Sequence, residues 1–142
     1  EVIRKYVLVK QGTDLQCNTM AQMVIAEYLK RYDIDKHIEK IVEVYRKRRD
    51  VAVRCMESFF PASIKFTRPE GGLFTWVELP DGVSARDILE ECLERKIAFV
   101  PGGSFYPNKN RENTFRLNYS NMSEERIEKG IQIIADVLRK YL

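Results

Sequence analysis

A short segment near the C-terminus alternates strictly between apolar and polar side chains, and this pattern limits the possible folds most. Phe115, Leu117 and Tyr119 would point to one side of a strand, whereas Arg116 and Asn118 would point to the other. Such a strand belongs in a sheet that packs on one face only. The open face would then carry an arginine beside an asparagine, which is either a carboxylate clamp or a plain solvent-exposed pair.

Amphipathic helices are predicted around this strand. Apolar residues recur at helical spacing in five segments, which cover residues 1–11, 19 to about 33, 35 to about 59, 84–93 and 123–141. The first segment is also compatible with a strand because it is rich in β-branched residues. Thr19 with Gln22 predicts a capping box, and Asp35, Ser84 and Ser123 are predicted to begin the later helices.

Short strands are predicted between these helices. They cover residues 62–67, 73–79, 97–100 and 114–119, and the first two are joined by a glycine-containing turn. A hairpin makes that pair antiparallel. The order of elements predicts an α+β fold with a small, mainly antiparallel sheet covered by helices on one face.

Composition argues against nucleic-acid and membrane binding. The chain has 24 basic and 21 acidic residues among 142, a net charge of +3, and no apolar run or leader long enough to enter a bilayer. The basic run Arg46–Arg49 is either a phosphate-contacting patch or the solvated face of a helix.

Metal-binding side chains are sparse. Cys17, Cys55 and Cys92 are widely spaced without a C-x-x-C pattern, and His37 is the single histidine. We therefore expect no metal site. We expect Cys55 and Cys92 to be buried free thiols in a cytoplasmic protein.

Two glycine-rich turns could bring the backbone close to a ligand. Gly71 and Gly72 lie between the first two strands, and Gly102 and Gly103 follow the third. From the pattern alone, an ordinary tight turn is the default interpretation of each pair.

Three segments that contain these residues carry a family resemblance when they are taken together. The segments Pro69–Trp76, Phe99–Phe105 and Asn113–Ser120 occur in this order. The sequence resembles the C-terminal part of class I/II aminotransferases of fold type I, which depend on pyridoxal 5'-phosphate (PLP). Within that group it most resembles 2-aminoadipate aminotransferases and the related MocR-type transcription regulators. Lys10–Leu15 also resembles the start of the connection between the two domains of that family.

The resemblance implies roles for individual residues. Arg116 matches the arginine that binds the substrate α-carboxylate, and Asn118 is expected to support it. Gly71 and Gly72 match the hairpin that faces the active site. Phe99 and Gly102 belong to the strand and loop beside the substrate entrance.

The resemblance also implies a domain division and partners. Residues 1–34 would be the end of the large PLP domain and the helical connection, and residues 35–142 the C-terminal small domain. The full-length protein would bind PLP, use an amino acid and a 2-oxo acid as substrates, and form a homodimer. No lysine here follows the family pattern Ser-x-x-Lys, and the nearest candidate is Lys10, so this chain is not expected to bind PLP covalently.

Alternative functions remain open at this stage. The chain begins at Glu1 without a methionine, which suggests a part of a longer protein. That protein would be a transaminating enzyme, or a MocR-type regulator in which an aminotransferase-like domain senses PLP and an effector. A free-standing ferredoxin-like binding module is a third interpretation. The sequence upstream of Glu1 would discriminate between them.

Overall fold

The computed structural model describes residues 1–108 and 111–142, which form five α-helices, four short strands and one 3-10 helix. The predicted order of elements is confirmed, and the first segment is a helix rather than a strand. The 3-10 helix begins where the sequence predicted a glycine-rich turn. In chain order the elements are α1 (Val2–Thr13), α2 (Thr19–Arg31), α3 (Ile34–Phe59), β1 (Lys65–Phe66), β2 (Phe74–Glu78), α4 (Ala85–Glu94), β3 (Val100–Pro101), the 3-10 helix (Gly102–Phe105), β4 (Thr114–Asn118) and α5 (Glu124–Leu138).

The four strands form one antiparallel sheet in the order β1-β2-β4-β3. In the central β2–β4 pair, Trp76 lies opposite Arg116 and Val77 lies opposite Phe115. The outer strands β1 and β3 have two residues each, and Val100 of β3 pairs with Arg116. This architecture confirms the predicted α+β class with an antiparallel sheet.

One face of the sheet is buried, as the alternation predicted. Thr75 and Val77 of β2 and Phe115 and Leu117 of β4 are at most 8% exposed. Burying an apolar side chain of this size contributes about 1.5–3 kcal/mol, so this layer holds the helices against the sheet. The helical side of the core consists of Val51, Ala52, Cys55, Met56, Ala85, Ile88, Cys92, Ile127, Ile131, Ile134, Ala135, Val137 and Leu138.

The predicted apolar stripes of α3, α4 and α5 extend beyond the core: Ile38 and Val42 of α3 are exposed, and so is one residue near the end of each of the other two stripes. Leu93 is 51% exposed and Tyr141 is 39% exposed. Leu93 is in the last turn of α4, and Tyr141 lies beyond the end of α5. Periodicity alone does not indicate where packing against the sheet stops.

Two of the predicted helix caps are confirmed. The Ser84 hydroxyl accepts hydrogen bonds from the backbone N–H groups of Arg86 and Asp87 at the start of α4. The Ser123 hydroxyl accepts one from Arg126 at the start of α5. Each cap satisfies amide groups that have no partner within their own helix.

The other two predicted caps are wrong by one or two positions. The side chain that caps α2 is Asn18, whose Oδ1 accepts from the Ala21 N–H, and Thr19 is the first helical residue. The start of α3 is capped by Asp33, whose Oδ1 accepts from the N–H of Asp35. Asn, Asp and Thr are all good caps, so neighbouring candidates are hard to separate by residue type.

The basic run on α3 divides into a solvated and a structural half. Arg46 and Lys47 are exposed. Arg48 Nη1 donates to the carbonyl of Ser120, and Arg49 Nη1 donates to the carbonyl of Glu70 at 2.7 Å. The second half therefore ties α3 to the loops beside β2 and β4, and only Arg46 and Lys47 match the solvated helix face that the sequence offered as one interpretation.

The cysteines are free thiols. Cys55 and Cys92 are buried and Cys17 is exposed. Burial raises the pKa of both buried thiols, to about 11 for Cys92, so both stay protonated and unreactive near neutral pH. Within residues 1–108 and 111–142, no three His, Cys, Asp or Glu side chains are placed to hold a metal ion.

The chain divides into two units, Glu1–Lys40 and Ile41–Leu142. In the first unit, neither α1 nor α2 contains a buried residue. The division at residue 34 that the resemblance implies stays a prediction. No helix in the described part of the chain has the length and apolarity that crossing a bilayer requires. The exposed apolar side chains of α1 and α2 include Val2, Ile3, Tyr6, Val7, Met20, Met23, Val24, Ile25 and Leu29.

Hydrogen exchange should separate the two units. We expect amides in residues 73–79 and 114–119 to exchange slowest, because they lie in the sheet above the core. Amides in residues 1–11 should exchange fastest, because helices without buried apolar contacts are marginal in water. The measurement is exchange followed by mass spectrometry on verified monomer. Strong protection of residues 1–11 with weak protection of the two strands would contradict this expectation.

Candidate functional site

Arg116 lies at the centre of the sheet, on the face opposite the core. It is half-buried, and its Cζ atom lies 4.1 Å from the ring centroid of Phe74 and 4.8 Å from that of Phe105. Its Nε is buried without a hydrogen-bond partner among the described residues. No acidic side chain in that part of the chain forms an ion pair with it.

This environment is suited to binding an anion. A partly desolvated charge is costly unless a counter-charge or hydrogen bonds compensate it. A guanidinium presents parallel N–H donors that match the two oxygens of a carboxylate. A carboxylate ligand at Arg116 would therefore supply the missing counter-charge.

Asn118 shares the strand face of Arg116 but bonds elsewhere. Its Oδ1 accepts hydrogen bonds from the backbone N–H of Ser120 at 2.9 Å and from the Ser120 hydroxyl at 3.1 Å. Its side chain therefore shapes the turn after β4. Among the described residues, no hydrogen bond joins it to Arg116, so its supporting role stays a prediction.

The loop that contains Gly71 and Gly72 leads into β2, and the first residue of that strand is Phe74. Gly72 has φ +82°, a conformation that side chains rarely adopt. The Gly71 carbonyl accepts a hydrogen bond from the Tyr119 hydroxyl at 3.1 Å. Phe74 pairs with Asn118 and contacts Arg116. The predicted glycines thus lie at the end of the sheet where the site opens.

Gly102 allows the 3-10 helix to lie directly on the sheet. A Cβ atom at this position would come within 2.0 Å of Thr114 Oγ1 and 2.9 Å of Trp76 Cζ2. Both neighbours are on the same sheet face as Arg116. The close approach places Phe105, at the end of the 3-10 helix, beside the guanidinium.

The side chain of Phe99 points away from this group. It is 7% exposed, and its ring stacks on Phe115 in the core with 4.2 Å between centroids. A ring in the core cannot contact a ligand bound at Arg116. The structure thus brings Arg116, Asn118 and the three predicted glycines to one face or edge, but it places the Phe99 ring on the opposite face.

Sequence reasoning did not single out the aromatic side chains that surround Arg116. Phe74 and Trp76 alternate with Thr75 and Val77 along β2, and the smaller pair faces the core. Large aromatic residues on the outer side of a strand were the available signal. Phe105, which lies in the 3-10 helix, had no such pattern.

A cavity of about 670 Å³ lies elsewhere in the same unit and does not include Arg116. It is bordered by α5, by the segment around Lys96 and by the end of β4, where Asn118 is one of its lining residues. Among the predicted site residues Asn118 therefore borders this cavity, whereas Arg116 does not.

Alanine substitution should distinguish Gly102, which is closely packed, from Gly71, which has open space around it. Gly102→Ala should destabilise the protein by about 1–3 kcal/mol, because Thr114 and Trp76 must move. Gly71→Ala is the matched control, since its Cβ would have nothing within 4 Å. We expect the control to change the free energy of unfolding by less than about 0.5 kcal/mol. Urea unfolding of both variants provides the comparison, and equal losses would refute the packing argument.

The comparisons with known proteins agree with this architecture. The sequence profile of the family described as aminotransferase class I and II matches residues 1–134. Aromatic-amino-acid aminotransferase 1 of Thermococcus litoralis is 39% identical over 138 residues, which cover 97% of this chain and 33% of that protein.

A solved structure and a regulator extend the comparison. The crystal structure of alpha-aminoadipate aminotransferase from Thermus thermophilus, complexed with N-(5'-phosphopyridoxyl)-L-leucine, matches with a TM-score of 0.90 at 36% identity. That match covers 99% of this chain and 36% of the other. An uncharacterised HTH-type transcriptional regulator of Bacillus subtilis, YdfD, is 28% identical, over 92% of this chain and 27% of that protein.

The share of this chain and the share of each relative that are matched decide what these similarities mean. The chain spans about a third of the length of the curated aminotransferases that it matches, at 33% and 36%. The family profile nevertheless covers nearly all of it. The chain belongs to the class I and II aminotransferase family.

Proposed function

We propose that the protein containing this chain is a PLP-dependent aminotransferase, and that this chain recognises the substrate α-carboxylate. The observation that carries the proposal is the half-buried guanidinium of Arg116, which has no acidic partner among the described residues. A carboxylate would form two parallel, charge-assisted hydrogen bonds with it. The amino and oxo acids of a transamination all carry such a group.

The contribution of Arg116 is binding and orientation. A ligand held by both carboxylate oxygens has its α-carbon at a fixed distance and angle from the arginine. PLP supplies the electron sink for the reaction when it is bound. Carboxylate recognition from this chain would present the α-carbon to that chemistry.

Lys10, the nearest candidate for the Schiff-base lysine, does not fit covalent cofactor binding. Lys10 Nζ donates hydrogen bonds to Cys17 Sγ at 3.1 Å and to Asp14 Oδ1 at 3.0 Å. Both contacts raise the pKa of Lys10, and the hydrogen bond to Cys17 contributes most. An amine that donates to both of these partners is a poor nucleophile toward an aldehyde. We therefore assign the Schiff-base lysine to the rest of the protein.

The remaining predicted site residues form the surroundings of Arg116 in this proposal. Gly71 and Gly72 border the open end of the sheet, and Gly102 seats the 3-10 helix. Asn118 shapes the turn that closes β4. Phe99 has no ligand contact in this proposal, and its ring packs on Phe115 of β4 in the core.

The proposal extends to the whole protein. Residues 1–34 would belong to the large PLP domain and its helical connection, and residues 35–142 to the small domain. The exposed apolar stripes of α1 and α2 support this division, because such surfaces are normally covered. A homodimer in the cytoplasm, acting on an amino acid and a 2-oxo acid, completes the assignment.

A transcription regulator is the second candidate. The similarity to the HTH-type regulator YdfD supports it, because the match covers most of this chain. In that case Arg116 would bind the carboxylate of an effector. A winged-helix segment upstream of Glu1 would favour the regulator, and its absence from the full reading frame would favour the enzyme.

Substitution of Arg116 in the full-length protein tests the proposal. Arg116→Ala should lower kcat/KM for amino acid donors by about 30- to several-thousand-fold, because losing one partner of a desolvated charge pair costs about 2–5 kcal/mol. Arg116→Lys should lower kcat/KM less, since lysine keeps the positive charge but lacks the two parallel N–H donors of the guanidinium. Steady-state kinetics at full PLP occupancy is the measurement.

The control for this experiment is an exposed arginine outside the site. Arg126→Ala on α5 removes the same charge and should leave kcat/KM unchanged. Fold stability of the Arg116 variants should also stay near the parent value. An Arg116→Ala protein within about threefold of the parent, with PLP retained, would show that the arginine is an ordinary surface residue.

The isolated 142-residue chain should not form a covalent PLP adduct. It lacks the Ser-x-x-Lys pattern, and the amine of its candidate Lys10 is hydrogen-bonded to Cys17 and Asp14. Incubation with PLP, reduction with borohydride and intact-mass analysis give the answer. A stoichiometric adduct on one lysine is the result that would contradict this expectation.

A further inference from the structure

We propose that Phe74 and Phe105 are positioning residues that orient the guanidinium of Arg116 through cation–π contacts and so set its affinity for carboxylates. The inference rests on the proposed function, because it concerns the same arginine. It adds the reason why the guanidinium is ready to bind before a ligand arrives.

The contacts themselves are within the range of attraction. A cation interacts with an aromatic ring when it lies within about 6 Å of the centroid. The Cζ atom of Arg116 satisfies this distance for both rings, at 4.1 Å for Phe74 and 4.8 Å for Phe105. The two rings come from β2 and from the 3-10 helix, so two separate elements restrain one side chain.

No polar group in the described residues provides this restraint. The Nε of Arg116 has no hydrogen-bond partner there. Asn118, the polar neighbour on the same strand face, directs its oxygen to Ser120. A free arginine would lose much rotamer freedom on binding a ligand, whereas a restrained one has lost it already. Aromatic contact is therefore what pre-organises this donor.

The Phe105 ring is held in turn by the sheet. Its centroid lies 5.7 Å from that of Trp76 in an edge-to-face arrangement, and Trp76 lies opposite Arg116 in the β2–β4 pair. Tyr106 also contacts Trp76, at 6.2 Å. The ring that orients the guanidinium thus depends on the same strand register as the guanidinium itself.

The exposure of both rings argues against a purely structural role. Phe74 is 39% exposed and Phe105 is 48% exposed, whereas the core phenylalanine Phe115 is fully buried. Exposed aromatic area contributes little to folding. A cation between such rings explains their position, and their exposure means that they can be replaced without emptying the core.

The experiment compares leucine and tyrosine at each position in the full-length protein. Phe105→Leu and Phe74→Leu keep an apolar side chain but lose the ring, whereas Phe105→Tyr and Phe74→Tyr keep it. The probes are isocaproate and isocaproamide, used as competitive inhibitors of transamination. The two compounds have nearly the same shape, but only the first carries a carboxylate.

We expect each leucine variant to weaken isocaproate inhibition by roughly 3- to 30-fold, the range that corresponds to a cation–π contact. Isocaproamide inhibition should change less than twofold, and both tyrosine variants should stay within about twofold of the parent for either probe. Phe66→Leu is the matched control, because Arg68 lies 5.0 Å from the Phe66 ring outside the site. It should leave both inhibition constants unchanged.

Several results would overturn the inference. Equal weakening of acid and amide would show that the rings serve only as packing, and so would equal losses in the leucine and tyrosine variants. Arg116→Ala, measured with the same probes, separates this failure from that of the proposed function. If it abolishes the preference for the acid while the leucine variants do not, the proposed function stands and the positioning role is wrong. If it changes nothing, both are wrong.

Discussion

The antiparallel pairing of β2 with β4 is the constraint on which the rest of the structure depends. It places Trp76 opposite Arg116 and Val77 opposite Phe115, so that one register defines both faces of the sheet. A slip of one residue would turn Arg116 toward the core and Phe115 toward the outer face of the sheet. The apolar layer beneath Val77 and Phe115 makes that slip costly, and the core therefore maintains the geometry of the site.

The two faces of this sheet have different tasks. On the inner face every side chain of β2 and β4 is buried against helices, and the one polar residue, Thr75, donates a hydrogen bond to the carbonyl of Thr67 at 2.7 Å. On the outer face two buried polar atoms, Arg116 Nε and Thr114 Oγ1, have no partner among the described residues. Unsatisfied groups of this kind concentrate where a structure departs from its most stable arrangement, which is often a ligand site.

Recognition and cofactor chemistry are separate in the function that we propose. The ligand face is built from short strands, a 3-10 helix and glycine-rich turns, and α3 secures the loops around it through Arg48 and Arg49. The buried thiols have raised pKa values, and Lys10 is held in a polar cluster, so neither supplies a reactive nucleophile. A chain that spans a third of its relatives is consistent with this division.

The sequence by itself determined the order of elements, the two-faced strand around Arg116, and the serine caps of α4 and α5, because each depends on neighbours within a few residues. The sequence did not identify Asn18 and Asp33 as the caps of α2 and α3, since several adjacent residues cap a helix about equally well. Only the tertiary structure decided that Phe74 and Phe105 flank Arg116 and that Phe99 turns into the core. Such contacts join elements far apart along the chain, and the register of the sheet, rather than any local preference, brings them together.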